Sequence, residues 1–429
     1  MTQRKPRLLW ANVYCLLDTS SGASMAVREM LQQLAHHGYE VSILGAAVFD
    51  HERGTAGLEG RWPAVQAETG CLVLLSDAVL EHKLYVTAST QRDQMTSGEE
   101  SAWFGLYQQA LELFKPDVVF YYGGQSFDFL ISNEARARGI PVVFFLVNGS
   151  YTQTRWCRDV DLVLTDSQAT AVMYTRRLGI IPVPVGAFID PARVVAPEHT
   201  CQRILFINPA LEKGVALVIR LAMLLEKRRP DIVFEVVESR GKWADVLLAI
   251  SKDMGDPREA LSNVVVTPNT SDMRPVYGRA RLLLAPSLWW ESGARVLPEA
   301  MLNGIPAITT SLGGSPEMVQ DGGIVLKLGD IYYQPPFTRV PPDETLEPLL
   351  QRIEALYDDE AQYAELAARA LRVGRTRHQM SVSTQRLLQA LQPLVDQQAG
   401  DKDDGAKVRQ WHRHGLDDRV VPEKNDAGQ

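Results

Sequence analysis

The sequence predicts an α/β protein built from two doubly wound, Rossmann-like lobes that face a central cleft. Short apolar runs alternate with longer amphipathic stretches along most of the chain, the pattern of parallel sheets covered by helices. The 429 residues, 45% hydrophobic and 22% charged, suffice for two or three domains with sizeable cores. A stretch rich in Pro, Val and Ala without clear periodicity, Val183 to Pro197, divides the alternating pattern into two sets.

In the first set, Leu8 to Val13 reads as a strand and Ala23 to His37 as a helix, closed by Gly38 before a second strand, Glu40 to Leu44. Asp117 to Tyr121, Pro141 to Leu146 and Asp161 to Leu164 follow, each with a helix-like neighbour. The second set opens with strand Arg203 to Ile207 and helix Val215 to Lys227, then strands Ile232 to Val237, Asn263 to Val266 and Leu282 to Ala285. Helix Ala294 to Asn303 and strand Ala307 to Thr309 complete it, and Glu344 to Leu394 is helical in composition. The expected divisions are 1–197, 198–375, a helical segment 376–398, and a polar, Gly/Asp-rich tail 399–429 that composition reads as disordered.

A net charge of -8 without a basic stripe argues against nucleic acid as a partner, which requires surplus Lys and Arg. Cys15, Cys71, Cys157 and Cys201 are widely spaced in or beside apolar runs, so neither a disulfide framework nor a metal knuckle is expected, and a reducing compartment fits. The apolar run in MTQRKPRLLWANVY is too short for a secretory signal, and no stretch reaches the ~18 apolar residues of a membrane span. The expectation is a cytoplasmic protein, at most peripheral to the membrane. The close His pairs, His36 with His37 and His412 with His414, lack a metal spacing, and no G-x-S-x-G elbow is present, so neither a metal nor a bound cofactor is expected.

The most informative segment is Leu282 to Val319, LLLAPSLWWESGARVLPEAMLNGIPAITTSLGGSPEMV. Glu291 stands just before the expected helix and Glu299 eight positions on, which on a helix is ~12 Å apart and within about 80° of one face. Two carboxylates so placed suit a ligand with hydroxyls at both ends. The helix start near Ser292 and Gly293 leaves unpaired amides at its positive end for a diphosphate between them, and Gly313 with Gly314 makes a second close-approach turn before Glu317.

The order PS, Glu, seven residues, Glu-Ala, NGIP, GG-x-P-E resembles the donor-binding signature of retaining glycosyltransferase family four (glycosyl transferases group 1), enzymes of the GT-B fold. The resemblance extends from about Leu8 to about Leu394. It implies a metal-independent, retaining transferase that takes a nucleotide diphosphate sugar as co-substrate. The C-terminal lobe would bind this donor, the N-terminal lobe an acceptor that the sequence does not name, and a helix Ser381 to Leu394 would cross back to the N-terminal lobe. By the same resemblance Glu291 would contact donor hydroxyls, Glu299 would hold the ribose, and the amides of Gly293, Ala294 and Arg295 would face the diphosphate. Lys213 in NPALEKG matches the family's phosphate lysine, whose charge would stabilise the departing nucleoside diphosphate. Gly22 matches the N-lobe glycine turn, while Asp166 and Ser167 in LTDSQ and GAFID at 186 to 190 match interlobe segments.

The chain departs from the family pattern at three points. Asn208 stands where an Arg often precedes the lysine, with Arg240, Arg274 or Arg295 as candidate substitutes. Ser292, Gly293 and Ala294 replace a Phe-Gly pair. Asn148 and Tyr151 are the nearest polar residues where an N-lobe His usually follows the Pro141 to Leu146 strand. The alternatives are a non-catalytic sugar-nucleotide or glycan-binding protein of this fold, or an epimerase or phosphorylase on the same architecture. Trp289 and Trp290 could stack on a base or sugar, although tryptophans beside a core strand usually pack.

Overall fold

A computed structural model describes residues 4–403. Its N-terminal sheet contains β1 (Arg7–Ala11), β2 (Glu40–Ala46), β3 (Leu72–Asp77), β4 (Leu80–Tyr85), β5 (Val118–Tyr121), β6 (Val142–Leu146), β7 (Leu162–Thr165) and the short β8 (Val183–Pro184). They lie in the order β3-β4-β2-β1-β5-β6-β7-β8, parallel except for the β3–β4 hairpin. The central strands consist of Val, Leu and Phe with almost no polar interruption because helices cover both of their faces.

The C-terminal sheet contains β9 (Arg203–Ile207), β10 (Phe234–Val237), β11 (Val264–Thr267), β12 (Ala280–Ala285), β13 (Ala307–Thr310) and β14 (Gly323–Leu326), all parallel, in the order β11-β10-β9-β12-β13-β14. Strand order therefore reverses between β9 and β12 here, and between β1 and β5 in the first sheet. Adjacent loops diverge at such switch points and leave a crevice at the carboxyl ends of the strands, where ligands of open α/β sheets bind.

The last helix, Met380–Asp403, returns to the first lobe: Leu387 and Leu391 pack fully buried with Leu8, Trp10 and Val27 beneath the N-terminal sheet. Its Ser383 hydroxyl donates to the Ala187 carbonyl at 2.6 Å, fixing the chain where it passes between lobes. The helix continues to Asp403, five residues beyond the Gln398 boundary read from composition, and the remainder of the predicted tail lies outside the described residues. The β3–β4 hairpin is an addition the sequence reading lacked. Its outer strand exposes Leu72 and Leu74 in place of a buried apolar stripe, so its run LVLL carries no period-2 signal. The helix expected over Ala294 to Asn303 is confined to Val296–Leu302, with Ser287 to Arg295 an irregular loop. Among the described residues no helix is long and apolar enough to cross a membrane.

Candidate donor site between the lobes

Two loops flank the C-terminal switch point: one from β9 with Asn208 and Lys213, the other from β12 with Glu291. They approach closely because Gly214 has φ of 81° and no side chain; a Cβ there would sit 2.2 Å from the Pro286 carbonyl oxygen. The Leu288 amide donates to the Glu212 carbonyl at 2.8 Å and locks the approach. Lys213 and Glu291 are thereby ion-paired.

Glu291 is almost fully buried and also accepts from Ser287 Oγ and Trp289 Nε1, each at 2.7 Å. Burial alone would push its carboxyl up, but the Lys213 charge and these hydrogen bonds outweigh it and hold the group below its ordinary value. The Lys213 ammonium lies 5.0 Å from the Trp289 ring centroid, so this tryptophan supports the pair while 44% of it stays exposed.

The Gly-Gly turn is fitted against the Glu291 backbone. The Gly314 amide donates to the Glu291 carbonyl at 2.8 Å, and Cβ atoms at Gly313 and Gly314 would fall 2.2 Å from the Glu291 oxygen and 1.8 Å from the Ser292 oxygen. Its glycines allow loop to pack on loop, and the Gly314 amide is committed within the protein. The amides of Gly293, Ala294 and Arg295 have no acceptor among the described residues.

Glu299 is brought to a different cluster, buried and paired with Arg295 at 2.7 Å while accepting from Tyr277 Oη at 2.5 Å. Arg295 also donates to the Phe188 carbonyl at 2.9 Å in GAFID. Glu291 and Glu299 thus belong to two networks, and their spacing is not that of one helix, since Glu291 precedes the helix by a loop. Asn208 takes a left-handed φ of 65°, and its Oδ1 accepts the Arg240 amide at 3.2 Å. Arg240 is consequently aimed across the cleft, where it meets Asp50 at 2.8 Å and the Ser20 carbonyl at 3.1 Å. Of the candidate substitutes for the missing cation, Arg240 has this cleft position; Arg274 is turned to Asp272 and Arg295 to Glu299.

From the N-terminal lobe, Gly22 begins the Gly22–His36 helix under the Ser21 cap, with open space at its Cα. Asn148 and Tyr151 have partners within their own lobe: Asn148 Oδ1 accepts from the Ser150 amide at 3.1 Å in a local turn, and Tyr151 Oη donates to the Gly123 carbonyl at 2.7 Å. Trp290 closes over this segment, since a Cβ at Gly149 would lie 2.6 Å from its ring, and Trp290 Nε1 donates to Thr170 Oγ1 at 3.2 Å. The polar group presented beside Glu291 and Gly293 is instead Asp166, which accepts from Ser292 Oγ. Burial, opposed by that hydrogen bond and reinforced by Glu291 and Glu317, raises the Asp166 carboxyl to about 7. Glu317 is directed away from the Lys213–Glu291 pair. Its carboxylate accepts the Gln168 and Ala169 amides at 3.1 and 3.0 Å, capping the Gln168–Leu178 helix of the other lobe, and pairs with Arg377. Ser287, four residues before Glu291, is the Ser of the PS pair that opens the motif, whereas no sequence signal marks Tyr277 or Arg377 as partners of these residues, because their roles arise only when separate elements meet.

Comparison with known proteins places this architecture in a class. The family model described as Glycosyl transferases group 1 matches residues 201–359, which contain the whole C-terminal sheet. No curated protein matches the chain by sequence. Among solved structures, a glycosyltransferase from Rickettsia africae aligns with a TM-score of 0.62 at 13% identity, over 92% of this chain and 99% of its own. The Anabaena protein Alr3699/HepE in complex with UDP and glucose aligns with a TM-score of 0.63 at 16% identity, over 91% of this chain and 100% of its own. UDP-GlcNAc 2-epimerase from Neisseria meningitidis bound to UDP-GlcNAc gives 0.51 at 12%, over 91% and 100%. The chain has the GT-B fold.

Proposed function

We propose that the chain is a glycosyltransferase that binds a nucleotide diphosphate sugar against the C-terminal lobe and transfers the sugar, with retention and without a metal, to an acceptor held by the N-terminal lobe. The observation that carries this reading is the Lys213–Glu291 pair at the C-terminal switch point, beside three amides that donate to no acceptor among the described residues. A diphosphate entering there would accept from those amides and draw the Lys213 ammonium, releasing Glu291 to accept from sugar hydroxyls. Glu299 would hold the ribose once Arg295 and Tyr277 yield part of its carboxylate. The family match over residues 201–359 and the UDP-bound structural neighbours support the same reading.

In the reaction the bond between the anomeric carbon and the donor phosphate oxygen breaks while the acceptor oxygen attacks from the face being vacated. The acceptor's proton passes to the departing phosphate oxygen. Lys213 and the amides stabilise the charge that grows on the leaving diphosphate, and Arg240 adds a second cation from the rim.

The test is thermal stabilisation by UDP, GDP, ADP, dTDP and their sugar conjugates. One nucleoside diphosphate should stabilise the wild type, by about 2.7 kcal/mol at 100 times its Kd, and should fail to do so in Lys213→Ala. Turnover should persist in EDTA, and the product should keep the donor's anomeric configuration by NMR. No stabilisation by any nucleotide would refute the reading. Consumption of donor without an acceptor, leaving an isomerised sugar nucleotide, would favour an epimerase of this fold.

A further inference from the structure

The N-terminal sheet has its own switch point, between β1 and β5, and an open cavity of about 750 Å3 lies between the loops that follow β4 and β5. Its wall combines Arg92 and Asp93 from the loop after β4, Glu100 from the Ser97–Phe114 helix, and Gln125, Ser126 and Phe127 from the loop after β5. It shares the carboxyl edge of the sheet with Asp166 after β7, two strands away, or ~10 Å at the usual strand spacing. Asp166 touches the donor loop at Ser292. This cavity therefore opens on the same edge of the sheet as Asp166, the residue that meets the donor loop.

Its charge selects against anions. Of the two helices that begin beside it, Ser97–Phe114 is closed by a capping box of Thr96 and Glu99, and Asp128–Ala137 carries an acidic residue, Asp128, in its first turn. Glu99 N donates to Thr96 Oγ1 at 3.2 Å, and the Gly124 and Gln125 amides donate to Asp128 Oδ2 at 2.9 and 3.0 Å. The one cation of the wall, Arg92, is held by Glu100 at 2.7 Å and lies over the Phe127 ring. Asp93 is exposed and has no cationic partner among the described residues, with the Asp128 carboxylate buried behind the wall and its Oδ1 unpaired there. The surplus is negative. Asp93, Gln125 and Ser126 supply exposed hydrogen-bonding groups, and Leu130, 44% exposed, supplies an apolar surface for C–H groups.

Resting on the transferase reading above, we propose that this cavity is the acceptor subsite and that it takes an uncharged or amine-bearing sugar, with Asp93 and Gln125 holding its hydroxyls, and rejects phosphorylated or carboxylated sugars.

The experiment measures, on the full chain, release of nucleoside diphosphate from the donor found by thermal shift, with glucose, glucosamine, glucose 6-phosphate and glucuronate as acceptors. Saturation-transfer NMR of the same four sugars gives a readout that needs no turnover. Glucose or glucosamine should bind and accelerate release, and the two anionic sugars should do neither. Asp93→Ala and Gln125→Ala should each raise the acceptor KM about tenfold, the loss of one charge-assisted or good hydrogen bond, with nucleotide stabilisation retained as the control of folding. Preference for the anionic sugars, an unchanged KM in both variants, or no sugar bound at all would overturn the proposal. Sugar binding that Asp93→Ala abolishes in a protein no nucleotide stabilises would support the subsite and refute the transferase reading instead.

Discussion

At the residue scale, the site depends on where charge is placed and what neutralises it. Lys213 stands beside a short loop against a buried carboxylate, which keeps its ammonium at the switch point before a ligand arrives. Lys213→Ala should weaken the nucleoside diphosphate Kd roughly 10- to 100-fold, the range for losing a charged hydrogen bond, and should lower kcat as well; isothermal titration and single-turnover rates check this. Normal affinity and turnover would remove Lys213 from the mechanism. Asp166 supplies a pH test. Its carboxyl is raised from 3.8 to about 7, so the native state favours the protonated form, and the contribution is full below the ordinary value and is lost as pH rises to and through about 7. Between pH 4 and 8 the wild type should therefore lose Tm relative to Asp166→Asn, and parallel Tm curves for the two proteins would refute that account. Asp128, raised to about 6 by burial, titrates in the same direction in both proteins and cancels from the comparison.

At the element scale, the alternation of apolar runs located the central strands well, because parallel strands covered on both faces have few ways to be written. The Glu291-to-Glu317 segment was legible as a motif, since its glycines and carboxylates lie within one short stretch. What it could not disclose was geometry: the loop from Ser287 to Arg295 is irregular, so a helical spacing between Glu291 and Glu299 does not hold. The packing of Trp290 on Gly149 was hidden because the two lie more than a hundred positions apart. The Gly-Gly turn is the element that fixes Glu291, and Gly314→Ala should test it. With a backbone oxygen 1.8 Å from the new Cβ, the turn must shift, at a cost of about 1–3 kcal/mol, and Glu291 must shift with it. Urea unfolding should show the loss, and nucleotide stabilisation should fall; full retention of both would mean that the two loops move independently.

At the scale of the whole molecule, function requires two lobes to meet in one arrangement, and contacts at three places along the cleft help to set it. Arg240 with Asp50 and Arg53 with the Ser239 carbonyl join the rims on one side of the cleft. Asp166 with Ser292 joins the middle. Glu317 caps the Gln168–Leu178 helix from the opposite lobe while held by Arg377, at the point where the chain turns into its returning helix. The rim ion pair Arg240–Asp50 is exposed and worth little in water. The Glu317 cap satisfies two helix-terminal amides besides the one that Ser167 caps, so its removal costs about 1 kcal/mol and acts directly on lobe alignment. Glu317→Ala should then enlarge the radius of gyration of the free protein by small-angle scattering, and a donor nucleotide should bring it back, because a ligand bridging both rims replaces the lost contact. Donor KM should rise in the same variant, since closure must be drawn from binding energy, while Glu317→Gln, which keeps an oxygen for one amide, should fall between. Scattering curves for Glu317→Ala and wild type that superimpose without nucleotide would show that the returning helix alone sets the lobe arrangement.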